Sequence, residues 1–261
     1  MKGPILILIC MLYLAGCASI RPPEPYIPEY TPHVFTTGTD SLPYRLLEPV
    51  KPRRGELYPL VVFLHGSGER GNDNTRQLTH GTYLFQKPEN VKNYPCFVLA
   101  PQCPEGSRWV EATWDSSVHH MPENPSKPLK MVHDLVVKLT ETLPIDPDRI
   151  YVTGLSMGGF GTWDMLARWP DLFAAGVPIC GGGDTSTAPR IAHIPVWIFH
   201  SSDDGVVPVE LSRSMALALE KAGATFRYTE YNDAGHGSWE PAYEEPEMLP
   251  WLFSHKKSQS K

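Results

Sequence analysis

Asp148-Arg149-Ile150-Tyr151-Val152-Thr153-Gly154-Leu155-Ser156-Met157-Gly158-Gly159-Phe160 decides the fold. It reads as a strand, a sharp turn and the start of a helix. Ile150 to Val152 are apolar and β-prone, and Phe160 to Arg168 has helical character. Gly154 and Gly158 flank Ser156 in a G-x-S-x-G pattern. A serine on so tight a strand-to-helix turn has a strained backbone, accepts only small neighbours, and projects its hydroxyl away from the sheet. The N–H of Met157 opens the helix and is aimed where an oxyanion would develop. The pattern alone also fits an ordinary glycine-rich turn. The strand before it and the helix after it raise it above that.

Outward from this stretch, strands and helices alternate. Val34 to Gly38 and Leu42 to Leu47 open the domain as short strands. Pro59 to Leu64 is a continuous apolar run, as a strand buried on both faces requires. It ends in His65-Gly66-Ser67-Gly68-Glu69-Arg70-Gly71, a turn at the strand's C-terminal end, where parallel sheets place their ligands. The backbone N–H of Ser67 is the second candidate oxyanion donor. His65 reads as a structural hydrogen-bonding residue, and Glu69 and Arg70 as braces for the loop. Asn74 to Phe85 is expected as a helix and Cys96 to Ala100 as a strand. Residues 104–126 form a long irregular region, of a length usually functional or mobile. Its Trp109 and Trp114 either line a substrate pocket or cover the core. Its His119–His120 pair is a solvated loop feature more than a metal site.

Leu129, Val132, Val136, Leu139 and Leu143 set an amphipathic helix over 127–142, stopped by Pro144. Phe173 to Cys180 and Pro195 to His200 are further buried strands. Val209 to Ala222 is a helix with Gly223 as its stop, and Thr225 to Tyr231 is the last strand. Asn232 to Trp239 is a loop, and Glu244 to His255 a closing helix. This alternation specifies an α/β fold, a mostly parallel central sheet flanked by helices. One catalytic domain covers 33–256, followed by a polar tail at 257–261.

Ser156 needs a neighbouring base, since an alkyl hydroxyl is a poor nucleophile near neutral pH. A histidine can take its proton and return it to the leaving group, and a carboxylate must fix that histidine's tautomer. His236, in a Gly-His-Gly loop after the last strand, stands in the right order. Asp203 or Asp204 supplies the carboxylate, and the residues alone leave the pair open. Each of the three positions follows an expected strand, so a parallel sheet gathers them at one edge.

The segments Phe63 to Asn74, Ala100 to Pro104, Asp146 to Gly159 and His236 to Trp239 resemble bacterial secreted serine esterases of the α/β-hydrolase fold. These are the group of feruloyl and acetylxylan esterases, polyhydroxybutyrate-depolymerase-like esterases and "predicted peptidases". The similarity runs over nearly all of 34–255. In that family a His-x-x-x-Asp-x-x-Val-Pro loop carries the acid. His200 to Pro208 fits it, which implies Asp204. The resemblance also implies Ser67 and Met157 as oxyanion donors and a carboxylic ester, small or carried on an acylated polysaccharide, as substrate. Gln102, Trp109 and Trp239 are the candidate substrate-binding residues. No cofactor is expected, and no Cys/His spacing suggests a metal site. A peptidase with the same triad is the alternative, disfavoured because the sequence shows no gating domain. A non-catalytic glycan-binding surface lipoprotein is the third reading, disfavoured by the intact Ser, Asp and His.

The first residues read separately. Lys2 and the apolar Ile5 to Leu14 form a signal-peptide core, too short to span a bilayer comfortably. Leu14-Ala15-Gly16-Cys17 resembles a lipobox, which implies cleavage after residue 16 and lipidation of Cys17. The expected location is extracytoplasmic, anchored to a bacterial membrane. Ala18 at the following position goes with outer-membrane sorting in a Gram-negative source. A plain secretory signal is the alternative. Residues 17–32 are proline-rich and expected as an extended tether. Removing 1–16 leaves 22 basic against 29 acidic residues, a net charge of −7. That charge, with no basic run, argues against a nucleic-acid partner. Cys96, Cys103 and Cys180 remain for the domain, an odd set for which no disulfide is predicted.

Overall fold

A computed structural model of the chain describes residues 27–257. The signal segment and Cys17 lie outside the described residues. Eight strands form one sheet: β1 Thr31–Thr37, β2 Asp40–Leu47, β3 Tyr58–Leu64, β4 Phe97–Pro101, β5 Ile145–Leu155, β6 Ala175–Ile179, β7 Val196–Ser201 and β8 Phe226–Tyr231. Their spatial order is β1-β2-β4-β3-β5-β6-β7-β8. β2 runs antiparallel to both its neighbours, and every pairing from β4 to β8 is parallel. This is the mostly parallel sheet expected, with β5 near its middle.

Alternate residues of the central strands face two separate cores. Leu60, Val62, Ile150, Val152, Val196 and Ile198 pack on one side with α2 Lys127–Thr142, α3 Met157–Arg168 and α5 Glu210–Lys221. Val61, Phe63, Tyr151, Val177, Trp197 and Phe199 pack on the other, beneath α6 Trp239–Glu244 and α7 Met248–Phe253. Two short helices, Pro88–Asn93 (α1) and Ala188–Ile191 (α4), complete the layers. α2 has the bounds its periodicity set, with Ser126 Oγ accepting the Leu129 N–H at 3.2 Å as its cap. No helix among the described residues is long and apolar enough to cross a membrane.

Three boundaries differ from expectation. Asn74 to Phe85 is not a helix but two 3₁₀ turns, Arg76–Leu78 and Thr82–Gln86. Asn74 and Gly81 sit at positive φ (53° and 72°), which interrupts any helix. The closing helix expected over Glu244 to His255 shortens to α7, Met248–Phe253, and α6 stands before it, ended where Pro246 pushes Glu245 out of helical geometry, to ψ 115°. The tether ends earlier than residue 32. Pro28 and Tyr30 are buried, Tyr30 Oη donates to the Thr82 carbonyl at 3.1 Å, and β1 begins at Thr31.

Candidate active site

The three loops that follow β5, β7 and β8 meet at the C-terminal edge of the sheet. Ser156 lies between β5 and α3 with φ 52° and ψ −116°, a conformation strained for any residue with a side chain. The turn is this tight because the flanking glycines admit backbone where a side chain would sit. A Cβ on Gly158 would lie 1.9 Å from the Leu64 carbonyl oxygen, and one on Gly154 2.4 Å from that of Gly158.

Ser156, His236 and Asp204 form one hydrogen-bonded chain. Ser156 Oγ is 2.9 Å from His236 Nε2. His236 Nδ1 is 2.8 Å from Asp204 Oδ2 and 3.0 Å from Oδ1. A carboxylate only accepts, so Nδ1 carries the proton and Nε2 presents its lone pair to the serine hydroxyl. Asp203, the other member of the acidic pair, points elsewhere. Its Oδ1 accepts from Ser201 Oγ and from the Gly235 N–H, bracing the loop that carries His236.

The Asp204 side chain is fully buried. Burial alone would raise its pKa. Hydrogen bonds from His200, His236 and the backbone N–H groups of Val207 and Val206 outweigh it and hold the carboxyl well below the usual range. His200, read from the sequence as a strand end and as the first residue of the His-x-x-x-Asp loop, is a second partner of this carboxylate. Its Nε2 lies 3.2 Å from Asp204 Oδ2 and 3.1 Å from the Val207 carbonyl. Both are acceptors, so Nε2–H donates, and Nδ1 accepts from Ser212 Oγ at 2.7 Å. The triad acid therefore serves two imidazoles. The signal was the His-x-x-x-Asp spacing, but Ser212, on α5, is not legible as its partner.

The turn after β3 is held with comparable care. His65, buried, donates from Nδ1 to the Gly66 carbonyl at 2.6 Å and accepts the Cys103 N–H on Nε2 at 2.9 Å. The Gly66 carbonyl and the Ser67 N–H belong to one peptide group, so His65 sets the direction of that N–H. Burial lowers the His65 pKa to about 4, which keeps the ring neutral. Arg70 Nε donates to the Ser67 carbonyl at 2.8 Å.

Of the three candidate substrate-binding residues, two are corrected. Gln102 is fully buried, and its amide is spent on the loop: Oε1 accepts from the Asn74 N–H, and Nε2 donates to the Glu69 carbonyl and Asp73 Oδ1. Trp109 is also fully buried, packs in the core, and donates its indole N–H to the His65 carbonyl at 3.0 Å. Neither has a surface left for a substrate. Trp239 does stand beside the site, its half-buried ring edge-on to His236 at 5.4 Å, with His80 also 5.4 Å away. Cys96, Cys103 and Cys180 are free and buried. A groove of about 680 Å³ lined by Leu57, Tyr94, Arg149 and Phe253 lies at the opposite strand ends, away from Ser156.

Residues 108–255 match the dienelactone hydrolase family. A "probable carboxylesterase" from Oryza sativa subsp. japonica is 27% identical over 217 residues, covering 76% of this chain and 78% of that protein. A bifunctional acetylxylan esterase/xylanase from Neocallimastix patriciarum is 24% identical over 149 residues, covering 57% of this chain and 20% of that one. The crystal structure of a thermostable esterase superposes with a TM-score of 0.82 at 45% identity. It covers 87% of this chain, which spans 63% of the esterase. The chain belongs to the dienelactone hydrolase family and is a serine ester hydrolase built on the α/β-hydrolase fold.

Proposed function

We propose that the protein hydrolyses carboxylic esters through an acyl-enzyme on Ser156, with His236 as general base and acid and Asp204 as its orienting carboxylate. The continuous hydrogen-bonded chain from Asp204 to Ser156 carries this reading. His236 Nε2 takes the hydroxyl proton as Ser156 Oγ attacks the carbonyl carbon. The resulting oxyanion is received by the N–H groups of Met157 and Ser67, each worth roughly 10²–10³ in rate. His236 then gives its proton to the departing alkoxide. Water, deprotonated by the same nitrogen, attacks the acyl-serine, and the acid leaves as Ser156 regains its proton.

The substrate is an acetyl or feruloyl ester on a plant polysaccharide. The acetylxylan esterase relative and the resemblance of the site segments support this class. An ester panel of acetyl, butyryl, octanoyl and feruloyl groups tests it, and a preference for octanoyl would contradict it. Ser156→Ala must abolish hydrolysis of p-nitrophenyl acetate with the fold intact; retained turnover refutes the assignment. The enzyme works outside the cytoplasm, held to the membrane by lipid on Cys17. Cys17→Ala should then move it from the membrane fraction to the soluble one, and unchanged fractionation would refute the anchor.

A further inference from the structure

Cys180 has no part in the proton path, yet it borders it. It follows β6 with φ 39° and is buried, and its N–H donates to the Phe199 carbonyl at 2.9 Å. Its Sγ, a ring nitrogen of His236 and a carboxylate oxygen of Asp204 all lie within 4.8 Å of one another. Ser238, fully buried, sets its hydroxyl against the same thiol. A tetrahedral zinc ion, with bonds of about 2.0–2.3 Å, holds its ligand atoms roughly 3.3–3.7 Å apart. These three atoms need only small side-chain movements to reach that spacing. Thiolate, imidazole and carboxylate together form a set suited to zinc or cadmium rather than to magnesium or calcium.

We propose that Cys180, Asp204 and His236 form an inhibitory site for a soft or borderline divalent cation such as zinc. His236 offers Nδ1, the nitrogen facing Asp204. Asp204 offers Oδ2, because Oδ1 already accepts the Val206 and Val207 N–H groups. The partly exposed His236 is the way in. Binding forms metal–sulfur, metal–nitrogen and metal–oxygen bonds, releases the thiol proton to solvent and shifts the single imidazole proton of His236 from Nδ1 to Nε2, so affinity rises with pH. A neutral imidazole bound through Nδ1 then carries its hydrogen on Nε2. It can no longer accept the Ser156 proton, and turnover stops. The effect on turnover rests on the function proposed above; the binding itself does not.

The test has two arms, both on the full-length protein. In the first, zinc chloride inhibits p-nitrophenyl acetate hydrolysis and EDTA restores it. Cys180→Ser keeps basal turnover and requires at least about tenfold more zinc. In the second, cadmium is titrated and the cadmium–thiolate absorbance followed, a readout independent of activity. The band is lost in Cys180→Ser, and its affinity falls at least about tenfold in His236→Ala. If Cys180→Ser fails to fold, His236→Ala decides. An active wild-type enzyme untouched by zinc, equal sensitivity of wild type and Cys180→Ser, or a cadmium band indifferent to both variants would overturn the proposal. Absence of ester turnover with a normal cadmium titration would instead count against the proposed function alone.

Discussion

Asp204→Asn changes one atom and reverses a hydrogen-bond polarity. Oδ1 accepts two backbone N–H groups, from Val206 at 2.9 Å and Val207 at 3.0 Å, so the asparagine must keep its oxygen there. Its NH₂ then occupies the place of Oδ2, 2.8 Å from His236 Nδ1. A donor facing Nδ1 selects the tautomer with hydrogen on Nε2, and that nitrogen cannot take the Ser156 proton. His200 Nε2–H loses the same acceptor but retains the Val207 carbonyl at 3.1 Å, so the loop has a second tie. The predicted loss in kcat is about 10³–10⁴-fold, or ~4–5.5 kcal/mol at 1.36 kcal/mol per decade. KM should hardly move, since Asp204 is buried and does not meet substrate. Steady-state hydrolysis of p-nitrophenyl acetate measures both, with circular dichroism to check folding. Asp203→Asn is the control and should lose less than about tenfold, because Asp203 only braces the His236 loop. A folded Asp204→Asn enzyme within tenfold of wild type would refute the tautomer argument.

Acid should destabilise the protein through His65. Its folded pKa of about 4 lies below the ordinary 6.5, so between those values the unfolded chain binds a proton that the native state refuses. Stability is full above 6.5 and falls by up to about 3 kcal/mol on the way to pH 4. Urea midpoints at pH 7 and pH 4.5 read this, and His65→Gln should flatten the slope; an unchanged slope contradicts it. The depressed Asp204 pKa adds a further loss that begins only below about 3.8 and continues through its folded value. Gly158→Ala places a methyl 1.9 Å from the Leu64 carbonyl and should prevent the elbow from closing, so no soluble active enzyme is expected; normal activity would contradict the close approach. Gln102→Ala orphans buried loop groups and should cost about 1–3 kcal/mol, read as a lower urea midpoint. Its ranking of the ester panel should stay as wild type, and an altered ranking would return Gln102 to the substrate.

The fold was legible where chemistry is local. Apolar runs of strand length named β3, β4 and β7, and a 3.6-residue period bounded α2. The triad was legible because a parallel sheet converts chain order into proximity. What sequence hid was the spending of side chains across distance. Gln102 and Trp109 sit where a substrate-binding residue belongs, but their hydrogen bonds go to loop 69–74 and His65, contacts set by tertiary packing. The Asn74–Phe85 stretch carries enough apolar residues for a helix, yet Gly81 must stay bare. A Cβ there would meet Tyr243 at 2.5 Å, a residue over 150 positions later. His200 appeared as the last residue of a strand, and only Ser212 and Asp204 in place reveal what its ring nitrogens bond.

The central claim is covalent attachment at Ser156, and rapid-quench mass spectrometry of the enzyme with p-nitrophenyl acetate tests it most directly. The account predicts a transient acetyl group on the peptide that contains Ser156, formed with the burst of p-nitrophenol, absent in Ser156→Ala and strongly slowed in His236→Ala. Steady turnover with no adduct on that peptide, or with the acetyl group on another residue, would contradict it.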